Sequence, residues 1–289
     1  MRPAIVQAQR TPADPWLPLR APRPNARLRL FCFPYAGRGA SIYRGWEPKI
    51  PPDIELCAVQ LPGREGRLAE PRPASMEALS GVTAEALELY LDLPFAIFGH
   101  SLGAAIAFEV ARKLHQRQGV TPRHVFVSGR SGPHRPRPGV GQGPHAPEEA
   151  GVGAPAGAAK PPESWAADLH ALPDGELIRR VQTLQGIPGE VLAHTEAMAA
   201  LLPLLRDDLR MAETYRASPG PALRCPLTAF GGLQDPLTTE AGLDRWRDTT
   251  LGPFTIRLFP GGHFYLHEDT DQLIGEITAA LLGQRGDSL

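Results

Sequence analysis

A serine between two glycines is the sharpest chemical feature of the sequence. The segment Gly99-His100-Ser101-Leu102-Gly103 directly follows the apolar run 95–98 and precedes a helical pattern that begins near Leu102. At such a strand-to-helix turn the backbone is strained, the flanking positions must be small, and the serine hydroxyl is exposed. The following helix N-terminus also stabilises negative charge that develops beside the serine. The pattern predicts that Ser101 is a nucleophile.

A serine hydroxyl needs a general base within hydrogen-bond reach and an acid that orients this base. His263 is the favoured base, because it follows the strand-like run 255–259 through the turn Pro260-Gly261-Gly262. His267 is the alternative base if this loop is longer than expected. His100 lies inside the serine turn and is expected to point away from the hydroxyl. The remaining histidines fall in helix, strand or insertion contexts and are expected to be structural or solvated.

Asp235 is the favoured acid, because it follows the strand-like run 226–231 and a glycine turn. Pro236 restricts the backbone of Asp235 to extended values, which helps to aim the carboxylate. The alternative for Asp235 is a turn aspartate without a catalytic role. The chain order Ser, Asp, His is that of α/β-hydrolases and differs from the orders in chymotrypsin-like and subtilisin-like folds. Four other aspartates fall in helical patterns and are expected to be solvated: Asp207, Asp208, Asp244 and Asp248.

Acyl transfer also needs two N–H groups that bind the oxyanion. The amide of Leu102, next to the nucleophile, is the first predicted donor. The loop 34–40 follows a strand-like run and is rich in glycine, and the amide of Ala36 in this loop is the second predicted donor. The same loop matches neither the GxGxxG nor the GxxxxGK[ST] phosphate-binding pattern.

These residues need a scaffold, and the sequence alternates between short apolar runs and longer helical patterns. The runs span 28–33, 54–59, 95–98, 124–127, 226–231 and 255–259, and the helical patterns include 75–92, 102–118 and 270–282. Such alternation predicts an α/β fold with a mostly parallel sheet and helices on both faces.

The domain organisation follows from where this alternation begins and breaks. Residues 1–26 contain six prolines and are expected to form a disordered or extended tail, whereas 27–130 and 224–289 form the core. Residues 131–223 show helical patterns without strands and are expected to be an insertion. Within it, 17 of the 24 residues 139–162 are Gly, Ala or Pro, which predicts a flexible loop.

Composition excludes several classes of protein. With 30 basic and 31 acidic residues the formal net charge is −1, so the chain offers no overall electrostatic surface for nucleic acid or membrane. The three cysteines show no CxxC spacing and are expected to be reduced. Neither a long apolar span nor a secretory signal is present, so we expect a cytoplasmic protein.

Five segments give the chain a resemblance to a known family. They are Phe33-Pro34-Tyr35-Ala36-Gly37, Leu61-Pro62-Gly63-Arg64-Glu65, Gly99 to Ala104, Gly231 to Pro236, and Phe259-Pro260-Gly261-Gly262-His263-Phe264. Over residues 26–283 the chain resembles the type II thioesterases of polyketide synthase and nonribosomal peptide synthetase pathways, members of the α/β-hydrolase superfamily. Arg38 and the lengthened 139–162 stretch depart from the family pattern.

The resemblance implies a helical lid within the insertion. It also implies an editing hydrolase that removes stalled acyl groups from the phosphopantetheine arm of an acyl carrier protein or peptidyl carrier protein, without a metal or other cofactor. An esterase or acyltransferase with the same residues is the alternative activity. A hydrolase-fold binding protein without turnover is the alternative of another class.

Overall fold

A computed structural model of the chain describes residues 14–133, 168–186, 194–217 and 219–283. The predicted flexible loop 139–162 lies outside these residues, as do residues 1–13 of the predicted tail. Residues 14–26 of this segment pack against the fold. Leu17 is buried, and the Arg23 guanidinium donates hydrogen bonds to the backbone carbonyls of Ile50, Pro51 and Ile54.

In the part of the chain that the structure describes, six parallel strands form one sheet in the order β2-β1-β3-β4-β5-β6. The strands are β1 (Leu28–Phe33), β2 (Ile54–Ala58), β3 (Phe95–His100), β4 (Val125–Ser128), β5 (Leu227–Gly232) and β6 (Phe254–Phe259). Every residue of β1 to β5 is buried, which explains why these strands are continuous apolar runs in the sequence. The edge strand β6 is only partly buried.

Helices cover both faces of the sheet. They are α1 (Met76–Leu87), α2 (Leu102–Gln118), α3 (Asp174–Thr183), α4 (Thr195–Thr214), α5 (Glu240–Asp244), α6 (Tyr265–Glu268) and α7 (Thr270–Leu282). One apolar core contains Leu79 of α1 and Phe108 of α2, and the core on the other face contains Tyr43 and Ile274 of α7. The predicted α/β fold is confirmed.

The helices α3 and α4 lie in the predicted insertion. Leu205 of α4 packs with Leu177 and Val181 of α3, and Ala36 in the loop after β1 contacts the same cluster. Thus α4 lies against the loop that follows β1. The assignment of 131–223 as a lid stays a prediction. Within the described ranges, no helix is long and apolar enough to cross a membrane.

Candidate active site

Ser101 occupies the turn between β3 and α2 with φ 54° and ψ −115°, a strained backbone conformation for a residue with a side chain. Two close backbone approaches explain the flanking glycines. A Cβ atom at Gly99 would lie 2.0 Å from the carbonyl oxygen of Gly103, and one at Gly103 would lie 2.3 Å from that of Phe33. The amide of Ser101 donates to the carbonyl of Ser128 in β4 at 2.7 Å, which fixes the turn to the sheet.

His263 and Asp235 form a buried pair at the ends of β6 and β5. The His263 Nδ1 and Asp235 Oδ2 atoms lie 2.9 Å apart, and the side chains are 3% and 0% exposed. The amide of Leu237 donates to the other carboxylate oxygen, Oδ1, at 2.8 Å. With the Nδ1 proton donated to Asp235, the lone pair of the imidazole lies on Nε2. Ser101 and His263 line the same cavity.

The two other histidines near this edge have different partners. His267, the alternative base, makes a 2.9 Å hydrogen bond through Nε2 with the Tyr35 hydroxyl, and burial lowers its pKa. His100 is fully buried, and its Nδ1 lies 2.8 Å from the Ser128 hydroxyl. Burial, followed by the nearby His263, lowers the pKa of His100 well below its ordinary value. These contacts favour His263 over both as the base.

The two predicted oxyanion donors are both available. Within the residues that the structure describes, the amides of Ala36 and Leu102 have no hydrogen-bond acceptor. By contrast, the neighbouring amide of Gly37 donates to Asp208 Oδ2 at 2.8 Å. Ala36 lines the same cavity as Ser101 and His263. The amides of Ala36 and Leu102 are therefore able to donate hydrogen bonds to an oxyanion that forms at Ser101.

The cavity at Ser101 is mostly apolar. Its walls come from the loop after β1, from α3 and α4, and from the segments that carry the Asp235–His263 pair, and they include Tyr35, Val181, Leu201, Leu205, Leu209, Leu237 and Phe264. A second, more open cavity meets it at Ser101 and His263 and is lined by Arg130, Ser131 and Glu213. An apolar chain and a polar group can thus approach the serine from different sides.

Comparisons with known proteins decide the family. The profile of the family described as Thioesterase domain matches residues 28–281. The chain belongs to the thioesterase family. LgrE of Brevibacillus parabrevis, named linear gramicidin dehydrogenase, is 39% identical to this thioesterase, and the match covers 96% of this chain and 99% of LgrE. Thioesterase PikA5 of Streptomyces venezuelae is 35% identical, with coverage of 94% and 87%.

The solved structure of the type II thioesterase BorB, from the borrelidin biosynthetic cluster, matches this thioesterase with a TM-score of 0.74. The two chains are 34% identical, and the match covers 94% of this chain and 99% of BorB. The resemblance to type II thioesterases, the α/β-hydrolase fold and the assignment as a hydrolase are confirmed.

One group of described residues in the thioesterase has the composition of a metal site. The ligand atoms of Asp168, His170 and Glu213 all lie within 4.8 Å of one another. However, the Glu213 carboxylate already accepts hydrogen bonds from the amides of Leu169 and His170 and from His170 Nδ1. The group is therefore explained as a contact that fastens the short turn at 169–171 to α4.

The expectation that Asp208 is solvated is wrong. Asp208 is 2% exposed and forms a two-pronged ion pair with Arg64, which is 3% exposed. Asp207 on the same helix is partly exposed and pairs with Arg72, as a surface aspartate does. A signal for Asp208 was present in the spacing, because it follows Leu205 by three residues and so lies on the apolar face of α4.

Proposed function

We propose that this thioesterase hydrolyses acyl thioesters on the phosphopantetheine arm of acyl or peptidyl carrier proteins, with Ser101 as nucleophile, His263 as base and Asp235 as the orienting acid. One observation carries the proposal. The buried pair of His263 and Asp235, 2.9 Å apart, shares a cavity with a serine held in a strained turn at a helix N-terminus. Such an arrangement serves acyl transfer.

In the first half of the reaction, Ser101 Oγ attacks the thioester carbonyl carbon while His263 Nε2 takes the hydroxyl proton. The carbonyl oxygen becomes negatively charged, and the amides of Ala36 and Leu102 donate hydrogen bonds to it. The carbon–sulfur bond then breaks. His263 returns its proton to the departing sulfur, so that the carrier leaves as a free thiol and the acyl group remains on Ser101.

In the second half, water replaces the thiol. His263 Nε2 takes a proton from the water as its oxygen attacks the acyl carbon, and the same two amides bind the new oxyanion. The bond to Ser101 Oγ breaks with return of the proton to the serine, and a free carboxylic acid leaves. Water and the thioester supply all atoms, and no electrons are transferred to an external group. The residues therefore need no metal or redox cofactor.

The names of the relatives support an editing role. PikA5 is named a thioesterase, GrsT of Aneurinibacillus migulanus is named a gramicidin S biosynthesis protein, and BorB belongs to a biosynthetic cluster. We therefore propose that the enzyme releases stalled or misprimed acyl groups from an assembly line. We also propose that the enzyme acts in the cytoplasm, as the sequence leads us to expect.

The decisive experiment is intact-mass analysis of carrier proteins that are loaded with acetyl, propionyl and longer acyl groups, before and after exposure to the enzyme. The wild type should return the carriers to the free thiol. Ser101→Ala should lower turnover by a factor of roughly 10⁴ to 10⁶ while the fold remains, because the strain of the turn resides in the backbone. A Ser101→Ala variant with a tenth of the wild-type activity would contradict the nucleophile assignment.

Two comparisons test the alternative functions. Faster turnover of simple esters than of carrier thioesters would favour an esterase. A fluorophosphonate probe should label Ser101, since the probe reacts with activated serines. An unlabelled wild-type protein would instead favour a binding protein that has the fold without turnover.

A further inference from the structure

A buried ion pair connects α4 to the loop that carries Ala36. Asp208 of α4 accepts three hydrogen bonds: Oδ2 accepts from the Gly37 amide at 2.8 Å and from Arg64 Nη1 at 2.8 Å, and Oδ1 accepts from Arg64 Nη2 at 3.0 Å. Arg64 Nη1 also donates to the carbonyl of Arg38 at 3.1 Å. The pair therefore contacts the loop on both sides of the peptide group between Gly37 and Arg38.

The loop needs such an anchor because of its glycine. Gly37 has a φ of +74°, a left-handed conformation that glycine adopts at little cost. Its amide belongs to the peptide group that follows Ala36. The Ala36 amide lies in the preceding peptide group, and the two groups are joined at the Ala36 Cα. An acceptor that holds the Gly37 amide in place therefore leaves the Ala36 backbone fewer conformations and restricts where the Ala36 amide points.

We infer that Asp208 is a positioning residue for the oxyanion hole, and that Arg64 holds its carboxylate in the required orientation. This inference rests on the proposed role of Ala36 as an oxyanion donor. It gives α4 a part in the chemistry beyond lining the acyl cavity. The helix contributes no atom to the reaction, but Asp208 on its buried face holds the loop that carries the Ala36 amide.

The alternative is that the pair merely fastens α4 to the rest of the fold. Removing one member of a buried pair leaves an uncompensated charge and destabilises a protein, whatever else the pair does. A loss of activity in a single variant therefore does not separate the two roles. To separate the two roles, a variant must remove the charge of both Arg64 and Asp208. It must also leave the Gly37 amide without the acceptor that Asp208 provides in the wild type.

The test compares three variants with the wild type. Asp208→Ala removes the acceptor of the Gly37 amide and of both Arg64 nitrogens. Asp207→Ala makes the same change at the neighbouring, partly exposed residue of the same helix and is the matched control. Arg64→Met combined with Asp208→Leu replaces the ion pair by apolar side chains, a change that often restores stability.

Four quantities are measured on each variant: the melting temperature, kcat and KM for the S-acetyl thioester of N-acetylcysteamine, and the rate constant for reaction of Ser101 with a fluorophosphonate. Loss of one oxyanion donor lowers kcat by about 10² to 10³. For a donor that is present but misdirected, we expect Asp208→Ala to lower kcat and the fluorophosphonate rate by about 10- to 100-fold, with KM changed less than about threefold. Asp207→Ala should stay within about twofold of the wild type.

The double variant decides between the two roles. If Asp208 positions the loop, the melting temperature returns toward that of the wild type while kcat and the fluorophosphonate rate stay low. Recovery of both rates along with the melting temperature would overturn the inference, as would wild-type rates in Asp208→Ala. A wild type that reacts with the fluorophosphonate and leaves carrier thioesters intact would refute the proposed substrate instead, and the comparison of fluorophosphonate rates would still judge Asp208.

Discussion

Replacement of Asp235 by asparagine should disable His263 by changing its tautomer. The two carboxylate oxygens of Asp235 each accept one hydrogen bond, from His263 Nδ1 at 2.9 Å and from the Leu237 amide at 2.8 Å. In asparagine one of these atoms becomes an NH₂ group. The Leu237 amide can only donate, so the oxygen of the asparagine must face Leu237 and its NH₂ group must face His263. Nδ1 must then accept, and the imidazole proton moves to Nε2.

A histidine with its proton on Nε2 cannot take the proton of Ser101. The same exchange lowers kcat by about 10⁴ in the serine-protease triad, and we expect a loss of this order here. A factor of 10⁴ corresponds to about 5.4 kcal/mol of transition-state stabilisation. The fold should be retained, because asparagine has nearly the shape of aspartate and both hydrogen bonds can still form.

The assay is single-turnover release of an acetyl group from a loaded carrier protein, followed by intact mass, with melting temperatures measured in parallel. Asp244→Asn is the control, since the Asp244 side chain is 49% exposed and pairs with Arg247 on the surface. It should remain within about twofold of the wild type. Asp235→Asn with activity within tenfold of the wild type would refute the tautomer reasoning. An equal loss in both variants would show that the effect of Asp235 is not specific to His263.

Three further predictions concern stability and selectivity. Gly103→Ala should lower the melting temperature strongly, because the new Cβ would lie 2.3 Å from the Phe33 carbonyl oxygen. In the control Gly81→Ala the new Cβ of α1 meets open space, and the free energy of unfolding should rise by about 0.5–1 kcal/mol. Equal melting temperatures of the two variants would contradict this prediction. Burial lowers the pKa of His124 to about 4, so the unfolded chain binds more protons between pH 6.5 and 4 and stability falls as the pH falls through that window. His124→Gln should weaken this fall in denaturant titrations at several pH values, and an unchanged slope would count against it. Leu201→Ala should widen the apolar cavity and raise kcat/KM for long relative to short acyl carriers, and a ratio equal to that of the wild type would show that Leu201 does not limit chain length.

The parts of the fold that were predictable are those in which local pattern and tertiary position agree. The helical pattern at 102–118 coincides with α2, Leu102–Gln118, and the run at 28–33 coincides with β1. β1 is buried throughout and α2 is buried over most of its length, so most of their residues report burial through their own hydrophobicity. The glycines at 99 and 103 were informative for a similar reason, since each is needed by a contact within or beside the serine turn.

The ion pair of Asp208 was not predictable from the sequence, because its partner is distant along the chain. Arg64 precedes Asp208 by 144 residues, and Arg64 lies in a loop without periodicity. An aspartate in a helix is most often solvated, and its neighbours Arg206, Asp207 and Arg210 reinforced that expectation. The spacing from Leu205 places Asp208 on the apolar face of α4, but only the tertiary fold shows that its partner is Arg64.

The proposed triad could be predicted from the sequence more readily than the contact of Asp208, and the arrangement of the sheet explains why. In parallel strands the carboxyl ends meet at one edge, so β3, β5 and β6 deliver Ser101, Asp235 and His263 to that edge through their order in the chain. These residues are proposed to act through their side chains, so their residue types can be identified directly in the sequence. The proposed donor at Ala36 acts through its backbone amide, so its own side chain is not part of the chemistry. The sequence requirement for an oxyanion hole of this kind shifts to the residues that fix the backbone, here Gly37, Asp208 and Arg64. In such a site the nucleophile can be identified from a sequence motif. The residues proposed to hold the oxyanion hole in place are identified only from long-range contacts in the tertiary structure.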